Sequence, residues 1–289
     1  MRSDQVFGFL LILLAIYLGV NATARGDAGD DLFADIATDD PPVIVDDDGG
    51  KMADDPDKDR DPDKDKDKYH DDGNEGVVST SDFCAGVSEV SRFDDLGDKH
   101  DEAVRCMDAA GVVEGVSADT YAPRDALTRA QAASTIAAMI DASNRLEREG
   151  VDLRALPEAP DVRFVDVEPD HPDADDIGRL NEARILEGYV DARYEPDGRV
   201  SRGQMASILD RAYKYMTGEA FPAANDQFDD DERSVHQDSI DAVAEANIMD
   251  GRGNRRFAPK DAVRRGPMAT YAARTMIRLE ETGRIRPLD

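Results

Sequence analysis

Three stretches of this chain share one register, and that register limits what the chain can fold into. DALTRAQAASTI, VSRGQMASIL and DAVRRGPMATYA carry Arg129, Arg202 and Arg265 at equivalent places, 73 and 63 residues apart. Each arginine has a glycine 14 residues earlier (Gly115, Gly188, Gly251), an aromatic 8 earlier (Tyr121, Tyr194, Phe257) and a proline 6 earlier (Pro123, Pro196, Pro259). An F-x-D element opens each unit, at Phe93 to Asp95, Phe164 to Asp166 and Phe228 to Asp230. Offsets kept three times over mark a structural repeat, whose copies must pack on one another to bury their apolar faces.

Each unit reads as helix, loop, helix. After F-x-D, apolar residues three apart (Val104, Met107, Ala110; Ile177, Leu180, Ala183; Ile240, Val243, Ala246) predict a short helix with one buried face. Gly111, Arg184 and Asn247 fall where a left-handed residue closes a helix, a conformation that suits glycine and asparagine and strains arginine. The second helix starts beside the repeat arginine. Ser201 with Gln204 makes an S-x-x-Q capping box, and Thr128 with Gln131 the matching one. Its buried stripe holds Ala132, Ile136 and Ile140; Met205, Leu209 and Tyr213; and Met268, Ala272 and Met276. In the third copy Arg264 stands at the cap position and Pro267 at the place of the glutamine, so both halves of the box are lost; proline is tolerated in a first helical turn.

The start of the chain is of another kind. Fifteen apolar positions, VFGFLLILLAIYLGV, are followed by Ala22-Thr23-Ala24, the layout of a secretory signal peptide over residues 1–24. Residues 25–81 are aspartate-rich, with alternating Asp and Lys that give no apolar face at either period, and read as a disordered acidic spacer. A calcium loop is the competing reading of those aspartates, but counting from Asp57 puts Pro62 where an EF-hand needs glycine. The divisions are therefore 1–24, 25–81, and three repeats at 82–150, 151–219 and 220–289.

The net charge of -29 lies on both the spacer and the repeats, so the surface repels phosphate backbones and anionic headgroups: no nucleic acid partner, and no membrane unless the apolar leader is retained. Cys84 and Cys106 are the only cysteines. In a secreted chain they read as one disulfide rather than a metal pair, with Cys106 off the apolar stripe of its helix and the bridge pinning the preceding segment onto the first repeat. No nucleophile motif, phosphate loop or pair of histidines at zinc spacing occurs; His100 and His236 share one repeat position, where capping or packing fits better than catalysis. The chain reads as a non-enzyme, with no cofactor and no metal.

F-x-D, a helix with H-x-x-x-[IV], a helix end closing on glycine, aromatic-x-Pro and then [VIL]-[TS]-R-[AG]-[QE] resembles the S-layer homology repeat, in the VTRGQMASFL-like form common in secreted actinobacterial proteins. The resemblance covers residues 92 to about 279, in three copies. It implies a mostly α fold of three helix-loop-helix repeats packed as a pseudo-threefold module. It also implies cell-surface anchoring by binding secondary cell wall polysaccharide, often pyruvylated, in grooves between repeats. Carried onto this sequence, it marks Arg129, Arg202 and Arg265 as anion ligands at helix starts, where unpaired N–H groups and the dipole favour negative charge. Asp95, Asp166 and Asp230 would shape the loops or accept sugar hydroxyls, while Gly115, Gly188 and Gly251 would let sugar rings approach. The family's glutamate after the arginine is replaced by Gln131, Gln204 and Pro267. Two other readings stand beside this one: a membrane-tethered or secreted protein-binding scaffold, and a spacer that responds to calcium or holds a protein partner.

Overall fold

The computed structural model describes residues 82–97, 99–158, 164–222 and 224–288. The leader and nearly all of the acidic spacer, with the calcium reading attached to it, lie outside the described residues. Among the described residues six α-helices come in pairs, α1 Asp101–Ala109 and α2 Arg129–Arg145, α3 Ala174–Glu182 and α4 Arg202–Thr217, α5 Gln237–Glu245 and α6 Arg265–Glu281, after a 3-10 turn at Asp82–Cys84. The fold is mostly α, and no helix among the described residues is long and apolar enough to cross a membrane.

The short helices bury the faces that their spacing predicts: Val104 and Met107, Ile177 and Leu180, and Ile240 and Val243 are all fully buried. Each ends on a left-handed residue, Gly111 at φ 69°, Arg184 at φ 56° and Asn247 at φ 58°. Arg184 thus adopts the strained conformation outright.

Each long helix packs against the short helix of the following repeat rather than its own. α2 lies on α3, α4 on α5, and α6 returns to α1, while α2 also touches α4 and α6. The triplet is therefore closed, and no repeat buries its stripe without its neighbour. Closure has a centre. The residues before the helix caps, Leu127, Val200 and Val263, are buried and bond in a ring: Leu127 N–H donates to Val263 O at 2.8 Å, Val263 N–H to Val200 O at 2.9 Å, and Val200 N–H to Leu127 O at 3.3 Å. Among the described residues, β pairing between repeats is confined to isolated antiparallel bridges.

The ends of the module are clasped. Cys84 is bonded to Cys106, Phe83 is fully buried, and Leu288 N–H donates to Phe83 O at 3.0 Å. Cys106 is itself buried, not off the stripe as the repeat alignment implies, because the Asp82–Cys84 turn packs over that side of the module against α6. Reduction should cost about 3 kcal/mol of stability, since the bridge closes a loop of 22 residues. Urea midpoints with and without reductant measure it, and equal midpoints would count against a stabilising bridge.

One buried group fits its place poorly. Asp231 stands where the other repeats have Leu96 and the buried Val167, is 0% exposed, and neither carboxylate oxygen has a hydrogen-bond partner among the described residues. Burial, together with Asp241, Asp226 and Asp230, raises its pKa to about 6. The native state therefore binds this proton more tightly than the unfolded chain, so the penalty is complete above pH 6 and relieved towards pH 4. Asp231→Val should stabilise by about 2 kcal/mol at pH 7, with the gain shrinking as pH falls to 4; denaturation across that range reads it, and a pH-independent gain would contradict the cause.

Candidate functional site

The loop between the helices of each repeat is built by the F-x-D element of the same repeat. The phenylalanine packs near the aromatic of aromatic-x-Pro, with ring centroids 5.4 Å apart for Phe93 and Tyr121, 5.3 Å for Phe164 and Tyr194, and 5.3 Å for Phe228 and Phe257. Its edge occupies the space that a side chain on the repeat glycine would fill. A Cβ on Gly115 or Gly251 would come within 2.5 Å of the Phe93 or Phe228 ring, and one on Gly188 would collide with Phe164. The room attributed to an approaching sugar at Gly115, Gly188 and Gly251 is thus already taken by the protein's own aromatic.

The aspartate of F-x-D clamps the same loop. Asp95 accepts from the N–H groups of Tyr121 and Ala122, Asp166 from those of Tyr194 and Glu195, and Asp230 from those of Phe257 and Ala258, all at 2.7 to 2.9 Å. The second residue of each pair has a positive φ, 58° at Ala122 and Glu195 and 59° at Ala258. A non-glycine residue in that region is costly, and two charge-assisted hydrogen bonds to one carboxylate offset the strain. Of the two roles open to these aspartates, the structure displays the loop-shaping one.

The clamped loop presents carbonyls to the arginine of the preceding repeat. Arg129 Nε donates to Tyr194 O at 2.7 Å and Nη2 to Glu187 O at 3.2 Å. Arg202 Nε donates to Phe257 O at 2.9 Å, Nη1 to the Tyr271 hydroxyl at 2.7 Å, and Nη2 to Asp250 O. Arg265 closes the circle, with Nε to Tyr121 O at 2.8 Å and Nη2 to Glu114 O. Each guanidinium also lies over the loop aromatic, 4.6 Å from the Tyr194 ring centroid, 4.4 Å from Phe257 and 4.7 Å from Tyr121. The three arginines are 3%, 1% and 9% exposed, so each junction between repeats is plugged by a buried cation. In return, Tyr194 and Tyr121 donate their hydroxyls to the carbonyls of Arg129 and Arg265. Burial raises both phenols, Tyr194 to about 12.

The helix starts are occupied as well. The N–H groups of Arg129 and Ala130 go to Gly198 O and Pro196 O, those of Arg202 and Gly203 to Asp261 O and Pro259 O, and those of Arg265 and Gly266 to Asp125 O and Pro123 O. The third N–H of α2 and α4 goes to the cap hydroxyl, Gln131 to Thr128 Oγ1 and Gln204 to Ser201 Oγ. The unpaired donors expected to attract an anion are therefore satisfied within the protein. In α6 the missing hydroxyl at Arg264 and the missing N–H at Pro267 cancel, because proline removes the one donor that the cap would have served.

The shared histidines hold the same junctions together. His236 Nδ1 lies 2.8 Å from Ser207 Oγ and His100 Nδ1 lies 2.9 Å from Thr270 Oγ1, both across a repeat boundary. Each ring needs a glycine beneath it: a Cβ at Gly203 or Gly266 would sit 2.9 or 2.8 Å from the histidine. At the remaining junction Ala130 replaces the glycine and Asp173 replaces the histidine, so the two changes go together.

The S-layer homology domain family matches residues 92–133, 163–206 and 229–269. The chain carries three S-layer homology repeats. Among curated proteins, a surface-layer 125 kDa protein of Lysinibacillus sphaericus is 28% identical over 130 residues, covering 45% of this chain and 10% of that protein. An endoglucanase of Bacillus sp. (strain KSM-635) is 28% identical over 152 residues, 52% of this chain and 15% of that protein. The matched region is thus a small part of both relatives, and the endoglucanase's activity is a statement about that protein. S-layer homology repeats belong to cell-surface and envelope proteins, and this chain is one of their carriers.

The repeat offsets make the three arginines equivalent but carry no sign of their destination in the next repeat. No repeat offset marks Tyr189, whose half-buried ring centroid lies 5.1 Å from the Arg129 guanidinium carbon. The plug has a measurable cost of removal. Arg202→Lys keeps the charge but loses the planar fork that reaches two carbonyls and a hydroxyl, and should lower stability by about 2 kcal/mol in urea titration; an unchanged midpoint would show that the junction does not depend on the guanidinium.

Proposed function

We propose that the three repeats hold this chain non-covalently at the cell surface by binding a secondary cell wall polysaccharide, with an acidic substituent such as a pyruvyl ketal recognised at the junctions between repeats. The observation that carries this reading is the state of the arginines. Arg129 and Arg265 each commit Nε and Nη2 to loop carbonyls, and among the described residues Nη1 of neither makes a hydrogen bond. A guanidinium fixed by two backbone carbonyls and an aromatic ring has lost most of its conformational freedom before a ligand arrives. A carboxylate taking the remaining donor would meet a pre-positioned cation on a protein that is otherwise strongly acidic. In this reading Asp95, Asp166 and Asp230, with Gly115, Gly188 and Gly251, set the loop that holds the arginine rather than touch the polymer.

The kinship with surface-layer repeats supports the same conclusion. Sedimentation of the full chain with walls of the cells that make it tests the reading. Retention should disappear when the non-peptidoglycan polymer is extracted from the walls. Equal retention after extraction would overturn it.

A further inference from the structure

The chain itself joins two of the three contacts between repeats and leaves the third unjoined. α2 runs on to α3 and α4 to α5, so the helices that pack together there are consecutive in sequence, whereas α6 packs on α1 from the far end of the module. A seam without a peptide linker closes at a lower effective concentration than a linked one. The repeated contacts do not make up the difference. Arg265, the His100 and Thr270 pair and the Leu127 to Val263 hydrogen bond at this seam have counterparts between the second and third repeats in Arg202, His236 with Ser207, and Val263 with Val200.

What this seam has in addition is a lip and a tail. The lip is the Asp82–Cys84 turn, which packs against α6 of the third repeat while the bridge from Cys84 to Cys106 fastens it to α1 of the first. Phe83, at its middle, is fully buried. The tail leaves α6 and crosses to the first repeat: Arg286 N–H donates to Leu146 O at 2.8 Å, Arg148 N–H to Arg284 O at 3.0 Å, and Leu288 N–H to Phe83 O at 3.0 Å. Between the lip and α1, residues 85, 86, 88, 89 and 90 are exposed, so the bridge is the firm attachment of the lip to its own repeat.

We infer that the Cys84–Cys106 bridge is a redox lock on the seam between the third and first repeats. Oxidised, it holds the lip against α6 and keeps the circle shut; reduced, it frees the lip, and the circle opens at this seam while the other two junctions stay closed. This is independent of the wall-polymer reading. Cys84 is half-buried and Cys106 is buried, so a dithiol reaches the Cys84 sulfur first. Its thiolate bonds to that sulfur, the S–S bond breaks, and Cys106 leaves as a thiolate that takes up a proton. The second thiol of the reagent then displaces Cys84, which is protonated in turn: two electrons pass to the protein, and the dithiol becomes a disulfide. At the cell surface, where disulfides persist, the lock stays shut.

Hydrogen exchange of the full chain, read peptide by peptide by mass spectrometry before and after dithiothreitol, tests the lock, with thiol counting to verify reduction. Exchange in α1 and in residues 284–288 should rise about a hundredfold on reduction, and exchange in α3, α4 and α5 should stay within about twofold. Phe83→Ala in the oxidised chain should give the same regional pattern, since it removes the buried ring of the lip and keeps the bridge. A uniform rise across all six helices would mark the bridge as a general stabiliser and overturn the inference. So would unchanged exchange, a bridge that dithiothreitol cannot open in the folded chain, or a Phe83→Ala chain that exchanges like the wild type.

Discussion

Each repeat of this module is finished by its neighbour. A helix begins with backbone donors that nothing within the helix can satisfy, and here the first two of them, together with the guanidinium of the first residue, are satisfied by carbonyls of the next repeat's loop. The same contact buries a cation, which is tolerable because carbonyl dipoles and an aromatic face surround it. Three such contacts in a circle explain why the chain keeps three copies. A single copy would leave one arginine without its carbonyls and one loop without its plug.

The loop is the other half of that contact, and its residues form a causal chain. The phenylalanine of F-x-D fills the space left by the repeat glycine, the aspartate holds two consecutive N–H groups of a left-handed turn, and the turn aims its carbonyls outward at the incoming arginine. Loss of any one of these loosens a neighbour rather than only its own repeat. Residues that a motif search marks as binding residues are therefore first of all the residues that assemble the module, and ligand recognition can use only what assembly leaves over.

What is left over differs between copies, and the differences are paired. Pro267 removes the donor that the lost cap at Arg264 would have served. Ala130 takes the place of a glycine where Asp173 takes the place of a histidine. Phe257 lacks the hydroxyl that Tyr121 and Tyr194 give to the plugging arginine's carbonyl, and at that junction Tyr271 supplies a hydroxyl to the guanidinium instead. Asp231 has no such compensation: a carboxylate lies where apolar side chains lie in the other copies. Pairing of this kind allows the three copies to diverge in what they present while the circle of contacts is maintained.

Much of this was legible in the sequence. Periodicity fixed the six helices and their buried faces, because an apolar stripe at helical spacing has to be covered; the capping boxes marked where α2 and α4 begin, because a hydroxyl three residues before a glutamine serves local donors. The third copy was recognisable as a helix start despite its missing cap. Tertiary structure alone decided where the arginines go. Register says that Arg129, Arg202 and Arg265 are equivalent, but a helix-start cation can equally face solvent, a ligand or a neighbour, and only the closed packing of α2 on α3, α4 on α5 and α6 on α1 brings a loop of carbonyls to each. It also assigned the glycines to the protein's own phenylalanines, buried Cys106, and set Tyr189 beside Arg129. Contacts between residues in different elements, such as Arg202 and Phe257, 55 apart in the chain, follow from which elements meet in space, and local sequence pattern carries no information about that.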